Sequence, residues 1–450
     1  MPAKRHLVSI DDLSLAEMEA LFQRAKTYSE DVRQWAAICP GRIAATLFYE
    51  ASTRTRLSFE SAMQRLGGGV ITAADMSVSS VSKGESLADT IRVVGGYADV
   101  LILRHQSEGA ARLATEYSPI PVINAGDGSH EHPTQTLCDL YSLWIERGQI
   151  EGLDVVFAGD LRYSRTVHSF AYALARFRAN IVCVPQQGFD MPEYVVKRLR
   201  EEFGVEPVRA NASRLGHLAA ASDVVYLTPQ KPHQLSLFTD PKGLSVGRVD
   251  AVYMTRPQTE RFGSDSKLDE TKYLQLGKQQ LAAESLRDAV VMHPLPRRDE
   301  INSEIDGDPR SIYFKQAARG VPIRMAILAA LLDSTDDLSG EGIPAAPTYL
   351  AQPQGVCCAN PNCISRTEER HVSPRFRLAS RLPLRVACPY CSHEVPFGVV
   401  GCSTTKHFHL ADSPELRKIR PDHMVFFRDP SHAEVAGFEA VLRASSTHGS

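Results

Sequence analysis

Residues 48–60 read Phe48-Tyr49-Glu50-Ala51-Ser52-Thr53-Arg54-Thr55-Arg56-Leu57-Ser58-Phe59-Glu60, and within them a strand pattern changes into a helix pattern. The apolar run from Ile43 to Tyr49 is typical of a buried strand in a parallel sheet. From Phe59 onward, apolar residues recur at helical spacing until Gly67, which is typical of a helix with one buried face. Hydroxyls, free backbone N–H groups and two arginines are therefore predicted to meet at a helix start, where an anion such as phosphate is stabilised.

A simple helix cap with two solvated arginines is the ordinary alternative for a Ser-Thr pair in this position. Here five consecutive polar residues, Ser52 to Arg56, occupy the strand–helix junction, and this favours a binding function. The run Ser-Thr-Arg-Thr-Arg also resembles the carbamoyl-phosphate motif of the transcarbamoylases. The other motifs must then indicate which amine such an enzyme accepts.

The composition is that of an ordinary globular protein. The chain has 450 residues, of which 43% are hydrophobic and 23% charged, with a net charge of −3, so two or three domains with large cores are expected. No apolar run reaches the roughly 18–20 residues that span a bilayer. The charged stretch Met1–His6 is not followed by an apolar segment, so no signal peptide is predicted. We expect a cytoplasmic protein that does not associate with membranes.

Short apolar segments alternate with helix-like stretches, which predicts parallel α/β sheets. Further strands of the first series are predicted at Val70–Thr72, Val100–Leu103 and Val122–Asn124. A second series is predicted at Val155–Ala158, Ile181–Val184, Val224–Leu227, Ala251–Met254 and Ala289–Met292. Long helices are predicted at residues 11–37 and 311–333. The predicted fold class is α/β, with two doubly wound parallel-sheet domains and a small C-terminal zinc-binding β domain.

Carbamoyl transfer needs neither an enzyme nucleophile nor an organic cofactor, because an amine attacks a carbonyl that a phosphate leaving group activates. Arg104 follows a predicted strand and is placed to reach both phosphate and carbonyl oxygen. His132 is a candidate for polarising the carbonyl, and Gln135 for binding the carbamoyl amide. Taken singly, such residues are more often solvated, so the inference depends on their joint appearance at strand ends.

Four further segments look like transcarbamoylases, namely Leu103-Arg104-His105, Glu108-Gly109-Ala110-Ala111-Arg112, Asn124-Ala125-Gly126-Asp127-Gly128 and His132-Pro133-Thr134-Gln135-Thr136. The resemblance implies a phosphate site made by Ser52, Thr53, Arg54 and Thr55. It implies carbonyl polarisation by Thr55, Arg104 and His132. It also implies that the carbamoyl nitrogen is held by Gln135 and the backbone of Pro294, Leu295 and Pro296.

Two arginines in the second half indicate the amine. Arg165 and Arg256 each follow a predicted strand, and two guanidinium groups facing one cleft suit a dicarboxylate. The surrounding motifs match the aspartate transcarbamoylases, which implies aspartate binding by Arg165, Arg256 and Gln258. The Cys and the Ser-Met-Gly motif that are typical of the ornithine enzymes are absent, so an ornithine-type reaction is the less favoured alternative. An apparent insertion at 230–249 leaves its own role open.

The polar segment from Ser77 to Ser86 would by itself be a surface loop. In the family that it resembles, the matching loop enters the neighbouring subunit's active site. The resemblance therefore implies that Lys83 contacts both substrates and that Ser80 contacts phosphate, so Lys83 joins the catalytic set. A homotrimer would then be the minimal active unit, and the sequence leaves open whether two trimers pair. It also leaves open whether a dihydroorotase binds as a partner.

Six of the nine cysteines lie between Cys357 and Cys402, which indicates a metal site. Two close pairs have the spacing of a tetrahedral zinc site and supply its predicted ligands, Cys358, Cys363, Cys388 and Cys391. Cys357 competes with Cys358 for one position, and Cys402, His407 and His409 are weaker candidates. This part resembles the zinc domain of the aspartate transcarbamoylase regulatory chain without the nucleotide-binding domain. A structural zinc ion and no regulation by ATP or CTP are therefore expected.

The resemblance implies five divisions of the chain. They are a carbamoyl-phosphate-binding domain at 1–140, an aspartate-binding domain at 141–300, a C-terminal helix returning to the first domain at 301–335, a linker at 336–355, and a regulatory-chain-like zinc domain with its tail at 356–450. Two other classes of function remain. Arginines cluster between Arg366 and Arg385, but the basic excess is small, so no nucleic-acid partner is predicted. A non-catalytic scaffold is disfavoured because the site positions are filled.

Overall fold

The computed structural model describes residues 5–74, 76, 80–228, 249–256, 275–332, 356–369, 372, 376–381 and 384–441. A first parallel sheet has the strand order β2-β1-β3-β4. Its strands are β1 (Ile43–Phe48), β2 (Gly69–Ala73), β3 (Val100–His105) and β4 (Val122–Asp127). All four strands predicted for the first series are confirmed.

A second parallel sheet has the order β10-β9-β8-β5-β6-β7. Its strands are β5 (Asp154–Gly159), β6 (Asn180–Pro185), β7 (Val208–Arg209), β8 (Val224–Leu227), β9 (Ala251–Met254) and β10 (Val290–Met292). Five of these strands were predicted. The sixth, β7, consists of two exposed residues at the sheet edge, so it has no apolar run that the sequence pattern could show.

Helices connect the strands of both sheets. They are α1 (Leu15–Glu30), α2 (Thr53–Arg65), α3 (Leu87–Val94), α4 (Ala110–Tyr117), α5 (Pro133–Arg147), α6 (Arg165–Arg176), α7 (Glu193–Phe203), α8 (Leu215–Ala220), α9 (Lys278–Leu281) and α10 (Tyr313–Leu332). In the described part of the chain, no helix is both long and apolar enough to cross a membrane.

The first helix is shorter than the predicted span of 11–37. It begins after Ser14, because the Ser14 side chain accepts a hydrogen bond from the backbone N–H of Glu17 while the Glu17 carboxylate accepts one from the N–H of Ser14. It ends at Glu30, where Asp31 takes an extended conformation. The last helix, α10, packs against α1, α2 and α5, so the chain returns to the first sheet after completing the second.

The C-terminal module, by which we mean the described residues from 356 to 441, contains two small sheets. A hairpin is formed by β11 (Arg377–Arg381) and β12 (Leu384–Ala387), preceded by α11 (Ile364–Thr367). A four-stranded sheet in the order β15-β13-β14-β16 follows, with strands β13 (Val399–Cys402), β14 (His407–Leu410), β15 (Met424–Phe427) and β16 (Glu439–Ala440), and α12 (Pro430–Val435). The sequence had left the part from Phe397 unassigned.

The C-terminal module lies against the α/β part of its own chain. The backbone of Glu108 exchanges hydrogen bonds with Asn362 and Ile364, each 2.9 Å long, and its carboxylate accepts one of 2.7 Å from Asn360. On the second sheet's side, the Arg385 guanidinium is 2.6 Å from the Glu201 carboxylate on α7. The module therefore contacts elements associated with both sheets.

Candidate functional site

A cavity of about 410 Å³ lies between the carboxyl ends of the two sheets. It gathers most of the residues that the sequence singled out, namely Ser52, Thr53, Arg54, Thr55, Arg104, His132, Gln135, Arg256, Pro294, Leu295 and Pro296. These residues come from the ends of strands β1, β3, β9 and β10 and from the loop before α5. Distant parts of the sequence thus converge on one polar pocket.

The start of α2 forms one wall. Ser52 is the N-cap residue of α2, but its side chain makes no capping bond to the backbone and instead donates a 3.0 Å hydrogen bond to the Thr55 hydroxyl. The first backbone N–H groups of a helix have no partner within the helix. An anion at this point would receive those N–H groups together with the positive end of the helix dipole.

Arg54 lies beside two other cations. Burial, together with the positive charges of Arg104 and Arg256, lowers its pKa below the ordinary value. Arg256 follows β9 of the second sheet and lines the same cavity as Arg54, so guanidinium groups from both sheets repel one another there. A bound anion would relieve this repulsion, so the electrostatics of the cavity favour a doubly or multiply charged anionic ligand.

Arg104 is held in place on two sides. Its Nη1 donates to the Ala125 carbonyl at 3.0 Å, and its Nη2 is 2.5 Å from the Glu50 carboxylate. The Nε group is buried without a hydrogen-bond partner among the described residues. Gly126 has φ +115°, and a Cβ there would come within 2.7 Å of Nη1, so only glycine leaves room for the guanidinium.

His132 and Gln135 lie at the start of α5. His132 is 6% exposed and occupies the N-cap position, and Pro133 begins the helix, as expected for proline in the first turn. The Gln135 amide donates a 2.8 Å hydrogen bond to the Asp139 carboxylate one turn later. The helix therefore directs both side chains into the cavity from a rigid element.

The segment after β10 forms the opposite wall. His293 is buried, and its Nε2 lies 2.8 Å from the Glu300 carboxylate. Its Nδ1 accepts a 2.8 Å hydrogen bond from the backbone N–H of Leu295. Burial lowers the pKa of His293 despite Glu300, so the imidazole is neutral when it receives this bond. Leu295 has φ +55°, an unusual value for a non-glycine residue that is often found at functional sites.

Some predicted site residues lie elsewhere. Lys83 is exposed at the end of a 3₁₀ turn (Ser80–Lys83) and does not line this cavity. Arg165 begins α6 beside Thr166, which lines the cavity, but the described part of the structure excludes the Arg165 and Ser80 side chains. Gln258, the predicted linker at 336–355 and nearly all of the insertion at 230–249 also lie outside the described residues.

The sequence missed several lining residues, among them Glu50, Thr166, Thr255, Gln316 and Arg324. Arg324 is 3% exposed within the apolar helix α10, donates a 2.9 Å hydrogen bond to the Gly320 carbonyl and lies 5.0 Å from the Phe59 ring centre. An arginine inside an otherwise apolar helix pattern was a signal that could have found it. The hydroxyl and amide residues carried no comparable signal.

A second site lies in the C-terminal module. The four predicted cysteines are all buried, and their sulfur atoms lie within 4.8 Å of one another. The Sγ atoms of Cys358 and Cys391 are 3.5 Å apart, and those of Cys363 and Cys388 are 3.7 Å apart. Four thiolates around one zinc ion at 2.3 Å would be separated by about 3.8 Å, so the cluster fits a tetrahedral metal site. The exposed Cys357 lies outside the cluster.

Three family models match the chain. Residues 5–144 match the carbamoyl-phosphate-binding domain of aspartate/ornithine carbamoyltransferases, and residues 151–331 match the Asp/Orn-binding domain of the same family. Residues 354–399 match the metal-binding domain of the aspartate carbamoyltransferase regulatory chain. The part of the module that contains most of the four-stranded sheet lies beyond this last match.

Similar proteins include the aspartate carbamoyltransferase catalytic subunits of Methanocaldococcus jannaschii and Thermoplasma acidophilum. They are 41% and 42% identical to this chain, and each match covers 74% of it and 99% of the relative. A crystal structure of the M. jannaschii catalytic subunit covers 74% of this chain and 99% of its own, with a TM-score of 0.60 and 40% identity. A structure of the Trypanosoma cruzi aspartate transcarbamoylase in complex with carbamoyl phosphate and aspartate covers 73% of this chain and 98% of its own, with a TM-score of 0.60 and 34% identity. The chain therefore belongs to the aspartate/ornithine carbamoyltransferase family, and after its catalytic segments it carries a metal-binding domain of the regulatory-chain type.

Proposed function

We propose that the protein transfers the carbamoyl group of carbamoyl phosphate to L-aspartate and releases N-carbamoyl-L-aspartate and phosphate, an early step of pyrimidine biosynthesis. The observation that carries this proposal is the cavity between the sheets, which brings a helix N-terminus, four arginines and two histidines together. The similarity of the chain to aspartate carbamoyltransferase catalytic subunits, over 99% of their length, supports the same reaction. No covalent intermediate with the enzyme is needed, because the amine attacks the substrate carbonyl directly.

The roles follow from the chemistry of each wall. The start of α2, with Ser52, Thr53, Arg54 and Thr55, would bind the phosphate that leaves. Arg104 and His132 would stabilise the oxyanion that develops on the carbonyl, together with the Thr55 hydroxyl. Gln135 and the backbone of residues 294–296 would hold the carbamoyl nitrogen. Because no group of the enzyme reacts covalently, catalysis would depend on positioning and electrostatics.

Arg256 would bind a carboxylate of aspartate, and we assign Arg165 and Gln258 to the same substrate. A dicarboxylate suits an excess of guanidinium groups, whereas the second amine of ornithine would add a positive charge near Arg54, whose pKa is already lowered by its neighbours. The electrostatics therefore favour aspartate over ornithine.

The test is carbamoyl transfer by the purified protein, with aspartate and ornithine offered in parallel. Formation of carbamoyl-aspartate alone is expected. Formation of citrulline would show that the amine site is assigned to the wrong substrate. Transfer to neither amine, by a protein that is folded and contains its metal, would refute the proposed reaction.

We further propose that the active unit is a homotrimer in which Lys83, and Ser80 beside it, complete the site of a neighbouring subunit. Lys83 is exposed and does not line the cavity of its own chain, which is consistent with a role in another subunit. Mixing an inactive Lys83→Ala variant with an inactive Arg54→Ala variant should restore part of the activity. In a mixed trimer, only one of the three shared sites combines an intact Arg54 with an intact Lys83, so about a third of the sites at most should be active. A mixed sample that stays inactive despite subunit exchange would contradict the shared site.

We assign zinc to the four-cysteine cluster, where it would crosslink α11 and the β11–β12 hairpin region and take no part in the transfer reaction. Metal analysis is expected to find one zinc ion per chain. A Cys391→Ser variant should lose that ion, and the far-ultraviolet spectrum should lose the contribution of the module. Full zinc content in this variant would show that the cluster is not the site.

A further inference from the structure

One buried carboxylate connects the two groups assigned to the carbamoyl nitrogen. Asp139 lies on α5 and is 3% exposed. Its Oδ1 accepts hydrogen bonds from the side-chain amides of Gln135 at 2.8 Å and Gln316 at 2.7 Å. Its Oδ2 accepts one of 2.8 Å from the Tyr253 hydroxyl. Three donors on three elements, α5, α10 and β9, therefore meet on the same side chain.

The bond to Asp139 determines which end of the Gln135 amide faces the cavity. A carboxylate only accepts hydrogen bonds, so the NH₂ group of Gln135 must point to Asp139. The Oε1 atom of Gln135 then points away from Asp139, where it can accept a hydrogen bond from a ligand. With the amide turned the other way, two oxygen atoms would face each other at 2.8 Å, and the ligand would meet a donor.

The same carboxylate reaches the segment from His293 to Pro296 through Gln316. While the NH₂ group of Gln316 donates to Asp139, its Oε1 accepts a 2.9 Å hydrogen bond from the backbone N–H of His293. In the rest of this segment, the two prolines have no N–H group, and the N–H of Leu295 is used by His293 Nδ1 at 2.8 Å. The segment can therefore offer a ligand only backbone acceptors.

We propose that Asp139 is a positioning residue for the carbamoyl nitrogen, because it sets the direction of the Gln135 amide and anchors segment 293–296 so that both present acceptors to it. The carbamoyl NH₂ group has two hydrogens to donate, and it matches such a site. An acyl phosphate that carries a methyl group at the same place would leave the acceptors unpaired, and burying unpaired acceptors is costly. The inference rests on the proposed function, since it concerns the selection of the group that is transferred.

The charged surroundings of Asp139 support an ionised carboxylate at neutral pH. The titratable groups facing it are Tyr226 from β8, Tyr253 from β9, Arg324 from α10 and Cys138 from its own helix. Burial raises the pKa of Asp139 to about 6, although its three hydrogen bonds and Arg324 oppose that shift. Burial also raises the pKa of Cys138 to about 12 and holds that of Tyr253 well above its ordinary value, so both stay neutral when Asp139 titrates.

The test compares carbamoyl phosphate with acetyl phosphate, which has a methyl group in place of the amide nitrogen. We define the nitrogen selectivity as the inhibition constant of acetyl phosphate divided by the Michaelis constant of carbamoyl phosphate. In an Asp139→Ala variant, this selectivity is expected to fall about 10- to 100-fold, the factor for losing hydrogen bonds controlled by a charged group. Binding of acetyl phosphate itself should change little.

Two further variants separate positioning from a general loss of structure. Asp139→Asn keeps one oxygen acceptor and is expected to recover part of the selectivity, whereas Glu17→Gln alters a carboxylate that is equally buried but lies far from the cavity, and should leave the selectivity unchanged. If Asp139→Ala does not fold, Gln316→Met removes the connection to segment 293–296 at similar volume and should lower the selectivity by itself. Equal weakening of both acyl phosphates would overturn the proposal.

The pH profile provides a readout that a purely structural role would not change. Protonation turns one oxygen of Asp139 into a donor, so the nitrogen selectivity of the native protein should decrease as the pH falls through about 6. The Asp139→Asn variant should show no such decrease. A native protein without any carbamoyl transfer would refute the proposed function, whereas normal transfer with an unchanged selectivity in Asp139→Ala would refute only the role of Asp139.

Discussion

Arginines cluster in two places in the protein, and the pKa shifts in the two places have opposite directions. In the cavity, burial and neighbouring cations lower the pKa of Arg54. At the junction, by which we mean Asp11 and the helix residues Arg176 and Arg198, one carboxylate binds two guanidinium groups. There burial opposes the charge of Arg198, but Asp11, Tyr172 and Glu202 together outweigh burial and raise the pKa of Arg198 well above its ordinary value.

This difference separates cations used for binding from cations used for stability. The junction connects the 3₁₀ turn Ile10–Asp12 to α6 and α7, and Glu202 on α7 adds a second carboxylate 2.9 Å from Arg198, so its charges are neutralised within the chain. The cavity keeps an excess of positive charge, which is unfavourable until an anion binds. Substitutions in the cavity should therefore lower the activity, whereas substitutions at the junction should lower the stability of the fold.

The largest effect is expected for Arg54→Ala. Removing this guanidinium should lower kcat/KM by about 10²- to 10³-fold, the loss found when one donor to a developing negative charge is removed. The free energy of unfolding should stay the same or increase, because a repelled cation is lost. Arg56→Ala is the matched control, since Arg56 lies on the same helix, outside the cavity and 3.7 Å from Glu60, and it should retain nearly native activity. Equal losses in both variants would contradict the comparison.

The opposite result is expected for Asp11→Asn, with native kcat/KM and a loss of about 2 kcal/mol in the free energy of unfolding at pH 7. The value lies below that for fully buried pairs because the Asp11 side chain is 27% exposed. Asp190→Asn breaks an exposed pair with Arg209 and should cost no more than about 0.5 kcal/mol. Chemical denaturation measures both. A comparable loss in the two variants would show that the junction contributes no more than a surface pair.

The stability difference between the native protein and Asp11→Asn should also depend on pH. The two arginines hold the pKa of Asp11 below its ordinary value even though burial acts in the other direction, so its carboxylate stabilises the fold at neutral pH. This contribution should be lost as the pH falls below about 4, the ordinary pKa of an aspartate, towards the lower pKa of the folded state. The stability difference between the native protein and Asp11→Asn should therefore shrink in that range. A difference that is constant with pH would exclude a charge effect.

The sequence predicted the cavity better than the junction, for a physical reason. Residues such as Arg54, Arg104 and His132 lie at strand ends, and parallel sheets bring strand ends together, so a linear pattern was enough to predict that they meet. The partners of Asp11 are more than a hundred residues away on helix faces, and no local pattern shows that they meet it. The same holds for Asp139, which sequence alone presents as one polar residue in a helix.

In the C-terminal module, the clustering of the four cysteines was predictable because the two members of each pair are close in sequence and the spacing of the pairs is typical of a zinc site. The sheet from β13 to β16 was not, because its strands have four residues or fewer and, unlike the equally short β8 to β10, do not continue a regular series of strands and helices. The domain boundaries and the roles of Arg165 and Gln258 stay predictions.

The smallest effect is expected where the C-terminal module meets α7. The Arg385–Glu201 pair has the contact distance of a strong ion pair, 2.6 Å, but the Glu201 side chain is 41% exposed, so water and salt screen it. Glu201→Gln should cost about 0.5 kcal/mol or less, and the cost should disappear in 1 M salt. Asp11→Asn should keep most of its effect at the same salt concentration, because buried pairs are screened less. If 1 M salt removes the stability losses of Glu201→Gln and Asp11→Asn equally, the junction is an exposed network of ion pairs. The difference between the junction and the cavity would then depend on their geometry alone.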